Sequence, residues 1–151
     1  MRAQGAYLWS LNPSKNMLNM RDIISRKAGL ANGHFYGFIN RPFCTALQVR
    51  LGEAAEDCER SVRYFAQDKV ILRYMMYHAE TEAYLNPGGL QTIFGSGAER
   101  KEAEISHIEK LQKAFPGQVQ LNAKEMMQTV NISFTVIGLP PLRPHPARGW
   151  V

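Results

Sequence analysis

The sequence has few of the features that identify enzymes and membrane proteins. It contains two cysteines in 151 residues, too few for a disulfide framework. Its longest apolar run is far shorter than the ~20 residues of a transmembrane helix, so no membrane span is expected. It lacks the Gly-Lys-Ser/Thr ending of a phosphate-binding loop, and neither cysteine has zinc-ligand spacing. We therefore predict a protein that is not an enzyme and that holds no cofactor or metal.

One pair of residues does have the spacing of a metal site. Glu104 and His107 form Glu-x-x-His, the arrangement of ligands in carboxylate-bridged di-iron proteins. Such a site needs a second pair of this kind and two further glutamates, and His78 with Glu82 is a poor substitute. The helical pattern also places Glu104 on the charged face of its helix. We interpret Glu104 and His107 as structural residues.

The two cysteines, Cys44 and Cys58, are predicted to be free thiols. If one helix carries both, the fourteen residues that separate them span roughly 21 Å. A disulfide requires Cα atoms within about 7 Å. A bridge would therefore need a break in the helix, for which Gly52 is the obvious place.

Positive charge is concentrated at the two ends of the chain. The net charge is +5 and hydrophobic residues make up 45% of the sequence, enough for the core of one modest domain. Residues 1–43 carry six basic side chains against one acid, and residues 118–151 carry three against one, whereas residues 44–117 carry nine basic and eleven acidic side chains. A basic balance fits nucleic acid, anionic lipid or an acidic protein as partner.

The spacing of apolar residues predicts a mainly α fold of three to four helices with extended basic N- and C-terminal arms. Apolar residues recur at helical spacing through one long helix, about 41–85, and Gly52 is the place where a bend in it is expected. Shorter helices are predicted between Ser14 and Asn32 and over about 97–115. The predicted division is an N-terminal arm (1–13), a helical domain (14–137) and a Pro-rich C-terminal arm (138–151).

A helix of such length cannot cover its own apolar stripe in so small a chain. The sequence therefore predicts an accessory subunit of a large multiprotein assembly, which scaffolds neighbouring subunits through its helices and arms. Aromatic and arginine side chains dominate interface energetics. The predicted partner-binding residues are Tyr7, Trp9, Phe134, Arg143, Arg148 and Trp150.

The N-terminal composition suggests a location. Residues 1–21 hold three basic residues and no acid, as mitochondrial presequences do. We expect a mitochondrial protein, in the matrix or associated with the inner membrane, within a respiratory-chain or ATP synthase complex. The alternative is an organellar ribosomal protein whose basic arms contact rRNA. Contact of the arms with anionic lipid also stays open.

Overall fold

Four short strands form the central sheet. The computed structural model describes residues 1–80, 90–95, 97–121 and 132–133. The strand order is β2-β4-β1-β3, and β1 runs parallel to β4 but antiparallel to β3, while β2 and β4 are antiparallel. The strands are β1 Leu8–Leu11, β2 Ile24–Ser25, β3 Tyr36–Phe38 and β4 Leu72–Tyr74.

Helix α1 (Glu56–Asp68) connects β3 to β4 and contributes to two packed clusters. Its first turn carries Glu56, Asp57 and Glu59, which favour a helix N-terminus because of the helix dipole. The helix ends at Lys69, whose φ of 60° is left-handed. On the sheet side, buried Tyr64 of α1 packs in one cluster that is completed by Leu8, Ala31, Leu47 and Ile71.

The second cluster joins α1 to the C-terminal helix. Helix α2 (Leu90–Phe94) precedes α3 (Gly97–Ala114), and Ile108 and Leu111 of α3 pack against Cys58 and Val62 of α1. The helix predicted over about 97–115 is thus confirmed. It is followed by Gly117, at φ 76°, and by β5 (Gln120–Leu121), which pairs with β6 (Ile132–Ser133).

The prediction of a mainly α fold is wrong, because a mixed four-stranded sheet occupies the centre of the described chain. The long helix predicted over about 41–85 is also wrong. Residues 45–47 form one 3-10 turn, only 56–68 form an α-helix, and 72–74 form a strand. Residues 81–85 lie outside the described residues.

Two features interrupt the segment that was predicted to be one helix. The ring of His107 lies against Gly52, where a side-chain Cβ would approach it to 3.0 Å. Beyond the left-handed Lys69, Val70, Ile71 and Leu72 are all buried. Residues 70–72 form a short, continuous apolar run that leads into β4, and periodicity alone does not separate such a run from a buried helix segment.

The N-terminal region differs from prediction for a related reason. Between Ser14 and Asn32 there is a single 3-10 turn, Met17–Asn19, followed by β2. The segment predicted to be an extended N-terminal arm supplies β1, which has a hydrogen-bonded neighbour on each side. The sequence of β1, Leu-Trp-Ser-Leu, is short and places buried Ser10 beside buried Leu8, so its pattern is not a clear apolar–polar alternation.

Other expectations concern single features. Both cysteines are free, as predicted, and burial together with Asp57 raises the pKa of the Cys58 thiol. Within the described ranges, no helix has the length and hydropathy needed to cross a bilayer. The Pro-rich C-terminal arm predicted for 138–151 lies outside the described residues.

Candidate interaction surface

The structure places two of the six predicted partner-binding residues. Tyr7 is half-buried, and the Arg41 guanidinium lies 4.2 Å from the centre of its ring. Trp9 is half-buried in β1, the inner strand that lies between β3 and β4. The other predicted residues, Phe134, Arg143, Arg148 and Trp150, lie outside the described residues.

Trp9 is held by aromatic contacts and by a glycine. Its ring makes edge-to-face contacts with Phe35 at 5.9 Å and with Tyr74 at 6.0 Å between centroids. A Cβ on Gly37, its partner across β3, would lie 2.5 Å from the indole nitrogen. The indole therefore covers Gly37 closely, and a larger residue at 37 would displace it.

Large apolar side chains are exposed on the segments that adjoin the C-terminal ends of β1 and β4. Each is between 48% and 84% exposed, which is unusual for so many bulky apolar groups in one region. We call this group the apolar surface. Its members are Met17, Leu18, Ile23, Ile24, Phe35, Met76 and Tyr77.

Backbone hydrogen bonds bring these segments together. Met75 N–H donates to Ile23 O at 3.0 Å, and Arg21 N–H donates to Met75 O at 3.4 Å. Leu11 N–H donates to Phe35 O at 3.3 Å. The apolar surface is therefore carried by segments that are bonded to one another, and not by separate loops.

The buried side chain of Asn12 links the segments that carry the apolar surface. It is nearly fully buried, and its Nδ2 donates to Asn19 O at 3.2 Å and to Met75 O at 3.1 Å. Its Oδ1 accepts from Ser14 N–H at 3.1 Å, and its backbone N–H donates to Tyr77 O at 2.9 Å. One side chain thus fixes both the loop that carries Met17 and Leu18 and the turn that follows β4.

Replacing Asn12 with Ala should loosen this surface without removing the core. The carbonyls of Asn19 and Met75 lose a donor, which we expect to cost about 1–3 kcal/mol. Amide hydrogen exchange should accelerate in 13–23 and 75–78, while α1 stays protected. Asn16→Ala is the control, because the exposed Asn16 side chain makes one hydrogen bond among the described residues, accepting from Leu18 N–H, so faster exchange should be confined to the turn Met17–Asn19. Unchanged exchange in 13–23 of the Asn12 variant would contradict this role.

The charged groups around the apolar surface are of mixed sign. Lys15 and Glu80 form an exposed ion pair at 3.5 Å, and Arg21 and Asp22 are exposed on the segment between Met17 and Ile23. The basic excess of residues 1–43 is therefore not concentrated at this rim. An apolar centre with a polar rim of both signs is the usual composition of a protein–protein interface.

A buried polar network lies apart from this surface, between α1 and α3. Glu59 is fully buried. Its Oε1 accepts from Arg50 N–H at 2.9 Å and from Arg63 Nε at 2.6 Å, and its Oε2 accepts from Leu51 N–H at 2.9 Å and from His107 Nε2 at 3.0 Å. The carboxylate therefore has a donor at each of its acceptor positions.

The same network determines the role of His107. Its Nδ1 accepts the backbone N–H of Ala55 at 3.0 Å, so Nε2 carries the proton that is donated to Glu59. Glu104 is buried and bonded to Arg100, so its predicted place on a charged face is wrong. Within the described part of the chain, no three potential ligands form a metal site. The polar atoms of His107 are thus used in packing α3 against α1.

Sequence reasoning missed both Asn12 and Glu59. The Asn12-Pro13 dipeptide is a turn signal. It could have indicated that the chain turns at Asn12 and that the asparagine side chain forms hydrogen bonds there. Glu59 offers no such signal, because its donors come from residues 50, 51, 63 and 107.

Comparison with models of known families, with curated proteins and with solved structures finds no match to this chain.

Proposed function

We propose that this protein is a non-enzymatic accessory subunit of a large multiprotein assembly, and that it docks on a neighbouring subunit through the apolar surface. The assembly that fits the N-terminal composition is a mitochondrial respiratory-chain or ATP synthase complex. The observation that carries the proposal is the exposure of Met17, Leu18 and their neighbours on hydrogen-bonded segments. Burying such a surface against a partner would recover the apolar transfer free energy that exposure forgoes.

The side-chain chemistry favours a protein partner over RNA. Single-stranded RNA is bound by aromatic rings stacked on bases beside a positively charged groove. Here most of the exposed groups are aliphatic, Trp9 is occupied by Phe35 and Tyr74, and the rim carries Glu80 and Asp22 as well as basic residues. Methionine also suits a protein interface, since its flexible side chain conforms to a partner.

The buried polar residues do not compete with this proposal. Glu59 and His107 resemble the pair of a general acid and base in residue type only. Their polar atoms are bonded to Arg50, Leu51, Arg63 and Ala55 inside the protein. A substrate would have to displace those bonds.

The test measures assembly of the full chain in the cells that produce it. A tagged wild-type chain should migrate with a large complex on native gels after mild detergent extraction. Leu18→Asp, which places a charge on the most exposed member of the apolar surface, should reduce that fraction by about tenfold. The melting temperature of the purified variant should stay unchanged.

The matched control is Ile93→Asp, because Ile93 is an exposed apolar residue in α2 that is not part of the apolar surface. It should enter the complex as the wild type does. Migration of the wild type as a free monomer would refute the proposed function. Ribonuclease-sensitive association with ribosomal particles would favour the rRNA-binding alternative.

A further inference from the structure

We infer that Arg73, on the loop-covered side of β4, is the centre of a binding site for an oxyanion, either a phosphate or a carboxylate group. The site consists of the Arg73 guanidinium and the segment from Ser25 to Gly29. It shares no residue with the apolar surface and does not rest on the proposed function.

The guanidinium is enclosed but only partly bonded. Arg73 Nη2 donates to Ala28 O at 3.2 Å and to Ser25 Oγ at 3.4 Å. The Nε is buried, and no described residue forms a hydrogen bond with it. Among the described residues, the Arg73 side chain makes only these two hydrogen bonds, both through Nη2. A guanidinium has five N–H donors. Arginine at such a position retains unused donors in a fork that matches an oxyanion.

The charge of Arg73 also has no carboxylate partner among the described residues. Every other arginine that is largely enclosed on α1 or beside it has a carboxylate partner, as Arg63 has Glu59 and Arg41 has Asp68. Burial lowers the pKa of Arg73, and no carboxylate of the described residues opposes that effect. A cation withdrawn from water without a counter-ion is destabilising, and a bound anion would offset this cost.

The covering segment is shaped around the guanidinium. A Cβ at Gly29 would lie 2.4 Å from Arg73 Cζ, so the backbone approaches the flat face of the group closely. The segment also carries Arg26 and Lys27, and Lys27 N–H donates to Ser25 Oγ at 3.4 Å. Arg26 is directed to Gln4, with Nη1 3.0 Å from Oε1. The exposed Lys27 adds a second positive charge to the segment beside the site.

The test is binding of inorganic phosphate and of acetate to the full chain at constant ionic strength. Phosphate should raise the melting temperature of the wild type by at least about 2 °C in the millimolar range. Arg73→Met should abolish the phosphate-dependent rise. Without phosphate its melting temperature should lie close to that of the wild type, because removal of an uncompensated buried charge offsets the loss of the bonds to Ala28 and Ser25. The control is Lys110→Met, an exposed cation on α3, which should retain the full phosphate effect.

The two anions distinguish the sources of the ligand. A rise with phosphate alone would assign the site to a phosphate group, and an equal rise with acetate would assign it to a carboxylate such as an acidic side chain of a partner. Arg73→Lys keeps the charge without the fork and should bind several-fold more weakly. Equal stabilisation of the wild type and Arg73→Met by phosphate, or no effect of either anion on the wild type, would overturn the inference.

Discussion

Replacing Glu59 with Gln is expected to lower the free energy of unfolding by about 3–5 kcal/mol. The carboxylate of Glu59 accepts from two backbone N–H groups, from Arg63 and from His107. A glutamine has one carbonyl oxygen and a donating NH₂ group. Whichever way the amide is turned, its NH₂ faces two donors, and the Arg63 charge loses its partner. Urea unfolding at neutral pH would measure the loss.

Glu56→Gln is the matched control, because it makes the same change three residues earlier on α1. Glu56 contacts Arg60 at 3.3 Å, and its side chain is 37% exposed. A pair of this kind contributes less than about 1 kcal/mol. Equal losses for the two variants would show that the buried network does not hold α3 against α1.

The effect of Glu59 depends on pH in a defined direction. Burial by itself would raise the pKa of Glu59, but the N–H groups of Arg50 and Leu51, with His107 and Arg63, outweigh it and lower the pKa. A carboxyl with a lowered pKa stabilises the fold fully above the pKa of the unfolded group, about 4.3, and this contribution is lost as pH falls through the folded pKa. The difference between wild type and Glu59→Gln should therefore be constant from pH 6 to 7 and shrink below about pH 4.

Asp68 provides a contrast of sign within the same helix. Burial raises its pKa even though Arg41 opposes the change. A carboxyl with a raised pKa is less favourable in its ionised form inside the fold, so its contribution to stability improves as pH falls through the folded pKa. The difference in unfolding free energy between the wild type and Glu59→Gln reports Glu59 alone, because both proteins contain Asp68 and its contribution cancels.

Helix α3 could be predicted from sequence because its determinants are local. Its apolar residues lie at helical spacing, Glu99 lies in its first turn and Lys113 in its last, and Gly117 follows. The sheet could not be predicted in the same way, because β4 joins β1 across more than sixty residues of sequence. The pairing of these strands depends on contacts between residues that are distant in sequence, which the pattern of a short segment does not report.

In the candidate interaction surface, too, local features could be predicted, whereas features set by contacts distant in sequence could not. The sequence identified Trp9 as important but assigned it to an arm, and its true setting depends on Gly37 and Tyr74. The exposure of Met17 was not predictable, since the pattern assigned this residue to the apolar face of a helix between Ser14 and Asn32. In the structure, the Asn12 side chain is bonded on both sides of Met17 and Leu18, to Ser14 N–H and to Asn19 O, and the segment between forms a turn instead of that helix.

Replacing Leu72 with Asp is expected to have the largest effect on stability of any single change considered. Leu72 is 3% exposed in β4, where it pairs with Trp9 and packs with Ala6 and Val70. The substitution removes the packing of a core leucine, which costs about 2–5 kcal/mol, and places a carboxylate where it is desolvated. The protein should fail to fold or should melt far below the wild type.

Two further variants make the Leu72 result interpretable. Leu72→Ala creates a cavity without a charge and should fold, with a loss of about 2–5 kcal/mol. Leu18→Asp makes the same chemical change on a side chain that is 84% exposed, and its unfolding free energy should change by less than about 0.5 kcal/mol. The two aspartate variants should therefore separate stability from assembly: Leu72→Asp unfolds the sheet, and Leu18→Asp leaves a folded protein that docks about tenfold less. A similar loss of stability from both would mean that Met17 and Leu18 pack on this chain's own core and that the apolar surface is not free for a partner.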